Sequence, residues 1–378
     1  MNAASLVDYA PALRLALLAL LIACVPLAWL WLHQRGGDAR ARLAAITALT
    51  LFLTFDLVVF GSFTRLTDSG LGCPDWPGCY GEASPIGAAA DIHAAQSALP
   101  DGPVTWHKAW IEMVHRYLAM TVGLLILVAA AASLAARARL PHSAAWPLAT
   151  LGWVVVQGLF GRYTVTLKLY PAVVTLHLLG GLVLLALLAL QHEAYRARPI
   201  EASASLRRLA AAAMAALAMQ IALGGWVSTN YAVLACSGFP GCNGQWWPAM
   251  DAGQGFTLLR ELGRAGHGGY LSFEALVAIQ MVHRLFGIVA TLALALLAWR
   301  LWRRAGALRR FGAAIALLLV AQLASGLGNV VLGWPIAAAL AHSAGAGALV
   351  LVSTLMQARL RPAAEALPAR PVRAAAAA

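Results

Sequence analysis

Apolar residues run through this chain in long unbroken blocks, without the alternation of half-buried strands. Nine blocks approach the roughly 20 residues that cross a hydrocarbon layer as helix, at about 12–32, 44–64, 110–134, 145–163, 171–191, 209–229, 275–299, 311–332 and 336–357. Short polar stretches part most of them. Two longer interruptions, after the second and sixth blocks, carry every cysteine except Cys24. The first block is too long and too poorly flanked for a cleaved leader and reads as a retained helix.

Setting that first helix aside, the other eight repeat. Gly61-Ser62-Phe63-Thr64-Arg65, Cys73 to Cys79, Glu112-Met113-Val114-His115-Arg116, Gln157 and His177 follow one another in the first half. Gly224 to Asn230, Cys236 to Cys242, Gln280-Met281-Val282-His283-Arg284, Gln322 and His342 follow in the same order in the second. Period matching of this kind is the mark of duplication. An even number of spans separates the halves, so they point the same way, as in parallel repeats about an axis along the membrane normal. The expected fold is an all-α membrane protein. Two parallel-repeat four-helix bundles supply eight core transmembrane helices, and an extra amino-terminal transmembrane helix precedes them. The expected divisions are 1–42 for the extra helix and its loop, 43–205 and 206–358 for the bundles, and 359–378 for a disordered basic tail.

Composition agrees. Hydrophobic residues make up 61% and charged residues 11% of the chain, against about a quarter charged in a soluble domain. The net charge of +12 does not point to nucleic acid, because the basic residues are sorted by side. Arg35, Arg40, Arg42, Arg137, Arg139, Arg207, Arg208, Arg303, Arg304, Arg309, Arg310 and the tail arginines fall on one side of the membrane. Arg65, Lys108, Arg162, Lys168, Arg260 and Arg264 fall on the other. The positive-inside rule then sets the amino terminus outside and the carboxyl terminus in the cytoplasm. The tail can touch anionic lipid.

This topology brings four histidines to one depth. His177 follows Pro171 by six residues and His342 follows Pro335 by seven, roughly 10 Å below the outer surface at the helical rise. His115 and His283 enter from the same side. Paired imidazoles facing each other in a bundle are what axial ligation of haem iron requires. Arg116 and Arg284 sit where they can meet haem propionates or snorkel to headgroups. Cys73 with Cys79, and Cys236 with Cys242, lie on the oxidising side and are expected disulfides. Whether they staple loops or take part in redox chemistry stays open. The halves differ in Glu112 against Gln280: a carboxylate exchanges a proton or stabilises a cation, an amide only hydrogen-bonds. Glu112 shares a helix face with His115 and is the candidate catalytic residue; orienting His115 is its alternative role. His33, His142, His192, His93 and His267 read as interfacial or solvated, His107 as a site-edge residue, and Asp56 as an unusual charge inside a span.

With Thr64 to Leu71, Cys73 to Cys79, Glu112 to Arg116, Cys236 to Cys242 followed by Gln245-Trp246-Trp247-Pro248, and Gln280 to Arg284, the chain resembles the haem A synthase family of cytochrome oxidase assembly. The resemblance covers nearly all of 43–358. It implies a membrane oxidoreductase that converts a methyl group of haem O to a formyl group in two steps. His115 and His177 would flank the substrate haem, with Glu112 beside the reacting edge. His283 and His342 would ligate a resident haem B, and Cys73 and Cys79 match the family's functionally important pair. The expected setting is a bacterial cytoplasmic (inner) membrane with the haem sites near the periplasmic side. Haem O synthase, an electron donor and further copies of the chain are the partners left open. The alternative activities are a di-haem bis-histidine electron-transfer cytochrome and a haem or thiol transporter.

Overall fold

The computed structural model describes residues 10–140, 143, 145–196, 198–266 and 268–362. His142, His267 and the tail beyond 362 lie outside the described residues. Every apolar block is helical. In chain order the helices are α1 (Ala10–His33), α2 (Ala39–Leu66), the loop helix α3 (Ala89–Ala98), α4 (Trp106–Ala135), α5 (Ala145–Thr166) and α6 (Pro171–Arg196). The second half continues with α7 (Ala204–Thr229), the short α8 (Ala252–Gly255), α9 (Phe273–Trp302), α10 (Gly306–Val331) and α11 (Ile336–Arg359). Among the described residues, eight helices are long and apolar enough to cross a membrane. The chain is an all-α, multi-pass membrane protein. Of the nine expected spans, α5 is the one that falls short of that measure, because Gln157 and Arg162 dilute its apolar character.

Helix ends follow local chemistry. Asp38, Thr105, Ser203 and Ser272 accept hydrogen bonds from backbone N–H groups in the first turns of α2, α4, α7 and α9, which satisfies donors a helix leaves free. Proline opens α6 and precedes α11, where a missing N–H costs nothing. Asp68 and Tyr231, just past α2 and α7, both take positive φ, at 51° and 54°.

Each half closes as a ring: α2, α4, α5 and α6 in the first, α7, α9, α10 and α11 in the second. Each bundle has a main apolar core. Leu51, Val122, Ile126, Leu182, Leu185 and Leu188 fill the first. Leu206, Leu217, Leu294, Leu297, Leu301, Ile315, Leu349 and Met356 fill the second. The halves meet where α6 and α2 pack on α11 and α6 packs on α7. Small residues permit close approach there: a Cβ on Gly347 would lie 3.4 Å from the Phe55 ring, and one on Gly225 would lie 3.2 Å from Leu178.

Two features depart from the expected divisions. Arg359 still belongs to α11 and pairs with buried Glu193 at 2.6 Å. Leu360–Pro362 then form a parallel strand pair with Ile200–Ala202, so chain order extends past the expected start of the tail. The extra helix α1 lies on α4. Leu15 is fully buried in a cluster with Cys73, Cys79, Ile92 and Met113.

Candidate functional site

The four histidines sit on α4, α6, α9 and α11, and each looks onto a glycine of a neighbouring helix. A Cβ on Gly61 of α2 would come within 2.9 Å of His115 Nε2, and one on Gly224 of α7 within 2.9 Å of His283 Cε1. A Cβ on Gly326 of α10 would lie 3.0 Å from His342 Cε1, and one on Gly161 of α5 would lie 3.6 Å from His177 Cε1. The clearance is thus duplicated along with the ring it serves. His115 and His177 thus stand on α4 and α6 of one ring, and His283 and His342 on α9 and α11 of the other.

Gln157 and Gln322, twenty residues before His177 and His342, are also duplicated in place. Gln157 lies against Gly180 of α6 and Gln322 against Gly345 of α11, where a Cβ would come within 2.0 Å and 2.4 Å of the respective amides. Both buried Oε1 atoms lack a partner.

Next to each histidine pair stands a disulfide loop, Cys73–Cys79 in the first half and Cys236–Cys242 in the second. The loops repeat down to their turns, Tyr80-Gly81 and Asn243-Gly244 all having positive φ. Each is held by the arginine that follows the histidine. Arg116 donates to the carbonyls of Asp75 at 3.0 Å, Pro77 at 3.1 Å and Gly78. Arg284 donates to Gly238 at 3.0 Å, Gly241 at 2.8 Å and Cys236 at 3.1 Å. Both guanidinium groups are directed at loop carbonyls, an arrangement that histidine-arginine adjacency alone did not reveal.

The difference between the halves lies one turn earlier. Glu112 is 3% exposed. Its Oε2 accepts the Cys73 N–H at 2.8 Å, and its Oε1 pairs with Arg116. One oxygen is thus tied to the loop and the other to the helix. Gln280, at the matching position, donates only to Val233 O at 3.3 Å, and its Oε1 is buried without a partner. Glu112 therefore reaches the disulfide loop, and the contact that fixes it is the i,i+4 pair with Arg116.

The two halves also touch at this end. Arg65 donates to Ser228 O at 2.5 Å, and its guanidinium lies 3.9 Å from the centre of the Tyr231 ring. The Tyr231 hydroxyl donates to Asp68 Oδ1 at 2.5 Å, and Lys108 lies 3.8 Å from Asp68 Oδ2. Thr175 and Thr229 share a hydrogen bond of 3.0 Å. These contacts set the loop-bearing ends of both bundles side by side. Burial pushes the Tyr231 phenol up to about 12; the Arg65 guanidinium opposes that rise and the Asp68 carboxylate adds to it.

His107 is exposed on the first turn of α4 and Asp56 is exposed along α2. His93 stacks on Trp106 with ring centres 5.4 Å apart, and His33 and His192 bond backbone carbonyls. The glycines facing the histidines and the Arg65–Tyr231 bridge escaped the sequence reading. Gly61 and Gly224 stood at matching positions in the repeat, and that correspondence was the available signal.

The residues fit a bis-imidazole metal group in each bundle. The donor set is right for haem iron, the glycines leave the rings unobstructed, and the buried His177 Nδ1 has no hydrogen-bond partner. Comparison with known proteins agrees. Residues 44–354 match the family described as cytochrome oxidase assembly protein, COX15-CtaA. A protein named Heme A synthase from Shewanella oneidensis is 38% identical over 315 residues, covering 82% of this chain and 94% of its own length. Proteins of that name from Caulobacter vibrioides and Shouchella clausii are 29% and 28% identical, covering 82% and 76% of this chain and 93% and 86% of their own lengths. By residues matched and by identity, the chain belongs to the COX15-CtaA family of cytochrome oxidase assembly proteins.

Proposed function

We propose that this protein is a haem A synthase, a membrane oxidoreductase that converts one methyl group of haem O to the formyl group of haem A. The observation that carries the reading is the duplicated histidine pair, one pair per bundle, with an acid beside the first pair only. His115 and His177, in the 43–205 half, would hold the substrate haem O. His283 and His342, in the 206–358 half, would hold haem B as resident cofactor. That cofactor supplies electron-transfer chemistry when bound; the protein supplies position and electrostatics.

Two successive two-electron oxidations, with dioxygen or another electron acceptor as oxidant and dioxygen or water as the oxygen source, would take the methyl carbon first to an alcohol and then to a hydrated aldehyde, which loses water. Glu112 is the residue suited to assist. Its carboxyl group lies one helical turn from His115, where, when ionised, it can stabilise a developing cation. Either oxygen can take a proton once its hydrogen bond to Cys73 or Arg116 is given up. Arg116 and Arg284 fasten the disulfide loops over the two sites. The distribution of Lys and Arg supports a bacterial inner-membrane protein with a periplasmic amino terminus, a cytoplasmic carboxyl terminus and sites near the periplasmic side.

The test is pigment analysis. The chain, expressed with a source of haem O and purified, is expected to yield haem A alongside one haem B. Haem B alone, in two equivalents, would instead indicate an electron-transfer cytochrome.

A further inference from the structure

The two histidine pairs are not supported alike. His342 Nδ1 lies 3.1 Å from Gln322 O and 3.2 Å from Ser325 Oγ, and the Ser325 hydroxyl donates to the same carbonyl at 3.2 Å. An Nδ1–H donated to these oxygens leaves Nε2 free to bind a metal. His283 Nδ1 lies 3.1 Å from the Gln220 amide nitrogen, which also donates to His283 O at 3.1 Å. Gln220 Oε1 is buried without a partner. A half-turn of the amide would bring that acceptor to the His283 Nδ1–H while giving up the bond to His283 O. Gly287 makes room, since a Cβ there would lie 3.2 Å from Gln220 Nε2.

In the first half every one of these positions is apolar. The repeat that matches Gly61 with Gly224, His115 with His283, and Gln157 with Gln322 sets Leu57 against Gln220, Ala119 against Gly287, and Phe160 against Ser325. His177 Nδ1 is buried without a partner. Among the described residues, His115 makes a ring contact with Phe60, centres 6.5 Å apart, and no side-chain hydrogen bond. An acceptor on Nδ1–H fixes the tautomer and orientation of a ligating imidazole and strengthens it as a ligand; losing one typically costs about 10–100-fold in affinity.

We propose that Gln220 and Ser325 are positioning residues that make the second site a retaining site, while Leu57 and Phe160 leave the first site exchangeable. This rests on the reading that both sites take haem. It deepens that reading by explaining how one chain keeps a cofactor yet releases a product of nearly the same shape. The retaining pair acts through its hydrogen-bonded imidazoles, and the releasing pair lacks that support.

The experiment uses the full chain purified with its haem, challenged with excess apomyoglobin as haem acceptor, with the reduction potential of the retained haem measured in parallel. Wild type is expected to keep one haem with slow loss. Ser325→Ala and Gln220→Leu should each lose it about 10-fold faster with a more positive potential, because a weaker ligand stabilises ferric iron less. Ser325→Thr should restore both readouts, which a merely structural defect would not allow. In the converse direction, Leu57→Gln combined with Ala119→Gly should slow release from the first site. If wild type retains a haem while both single variants match it in rate and potential, or if threonine fails to rescue, the inference is overturned and the functional reading stands. If wild type binds no haem even when supplied with hemin, the functional reading fails and takes the inference with it.

Discussion

Arg116 and Arg284 occupy one repeat position yet should respond differently to the same substitution. Arg116→Met leaves the buried Glu112 carboxylate without its counter-charge, a loss of about 3–5 kcal/mol. Arg284→Met leaves only loop carbonyls unpaired, a loss of about 1–3 kcal/mol. Thermal unfolding of the two variants in detergent should rank them in that order, and equal losses would show that the Glu112 pair adds nothing. The glycines sort in the same way. Gly61→Ala and Gly224→Ala force the facing imidazole to shift, whereas the 3.6 Å contact at Gly161 accommodates a methyl group. The absorbance of bound haem should therefore fall in the first two variants and persist in Gly161→Ala. At this scale the sequence exposed the four histidines, both cysteine pairs and the Glu112 and Gln280 contrast, because each is a chemically distinct residue at a repeated spacing. It did not expose what Arg116 and Glu112 touch. Apart from their own i,i+4 pair, those contacts join residues 38 to 41 positions apart, and helical spacing speaks only of neighbours within a turn or two.

Among the elements, the helix ends near the loops carry the joint between halves. Tyr231 ionises in the unfolded chain near pH 10, but only near 12 in the fold. The folded state thus binds the proton more tightly, so the contribution of Tyr231 is fully present below pH 10 and is lost as pH rises towards 12. Melting temperatures at pH 8 and pH 11 should fall further for wild type than for Tyr231→Phe, and parallel falls would remove Tyr231 as the cause. The added helix α1 offers a second test. Leu15→Ala, at a fully buried position beside the first disulfide, should cost about 2–5 kcal/mol and make the Cys73–Cys79 loop more open to proteolysis while leaving the Cys236–Cys242 loop unchanged. Helix existence was legible from apolar runs alone, since a block of that length has little choice in lipid. The seat of α1 was not, because its apolar residues surround the helix without favouring one side. The end of α11 was misread for a related reason: Arg359 looks like tail composition, yet Glu193 from another helix holds it in place.

For the whole molecule, duplication explains both the likeness and the difference of the halves. One ring of four helices, copied in the same orientation, provides two histidine pairs and two strapped loops. The copies then differ by Glu112 in one and by Gln220 and Ser325 in the other. On the proposed function, the first copy performs chemistry for which the second is a cofactor holder, with Glu112 as the feature that separates them. Glu112→Gln gives the first half the side chain of the second at this position. With haem O supplied, the haems extracted from this variant should be haem O and haem B with haem A lost, while wild type yields haem A. Normal haem A from Glu112→Gln, with the variant folded and its haem B in place, would contradict the account.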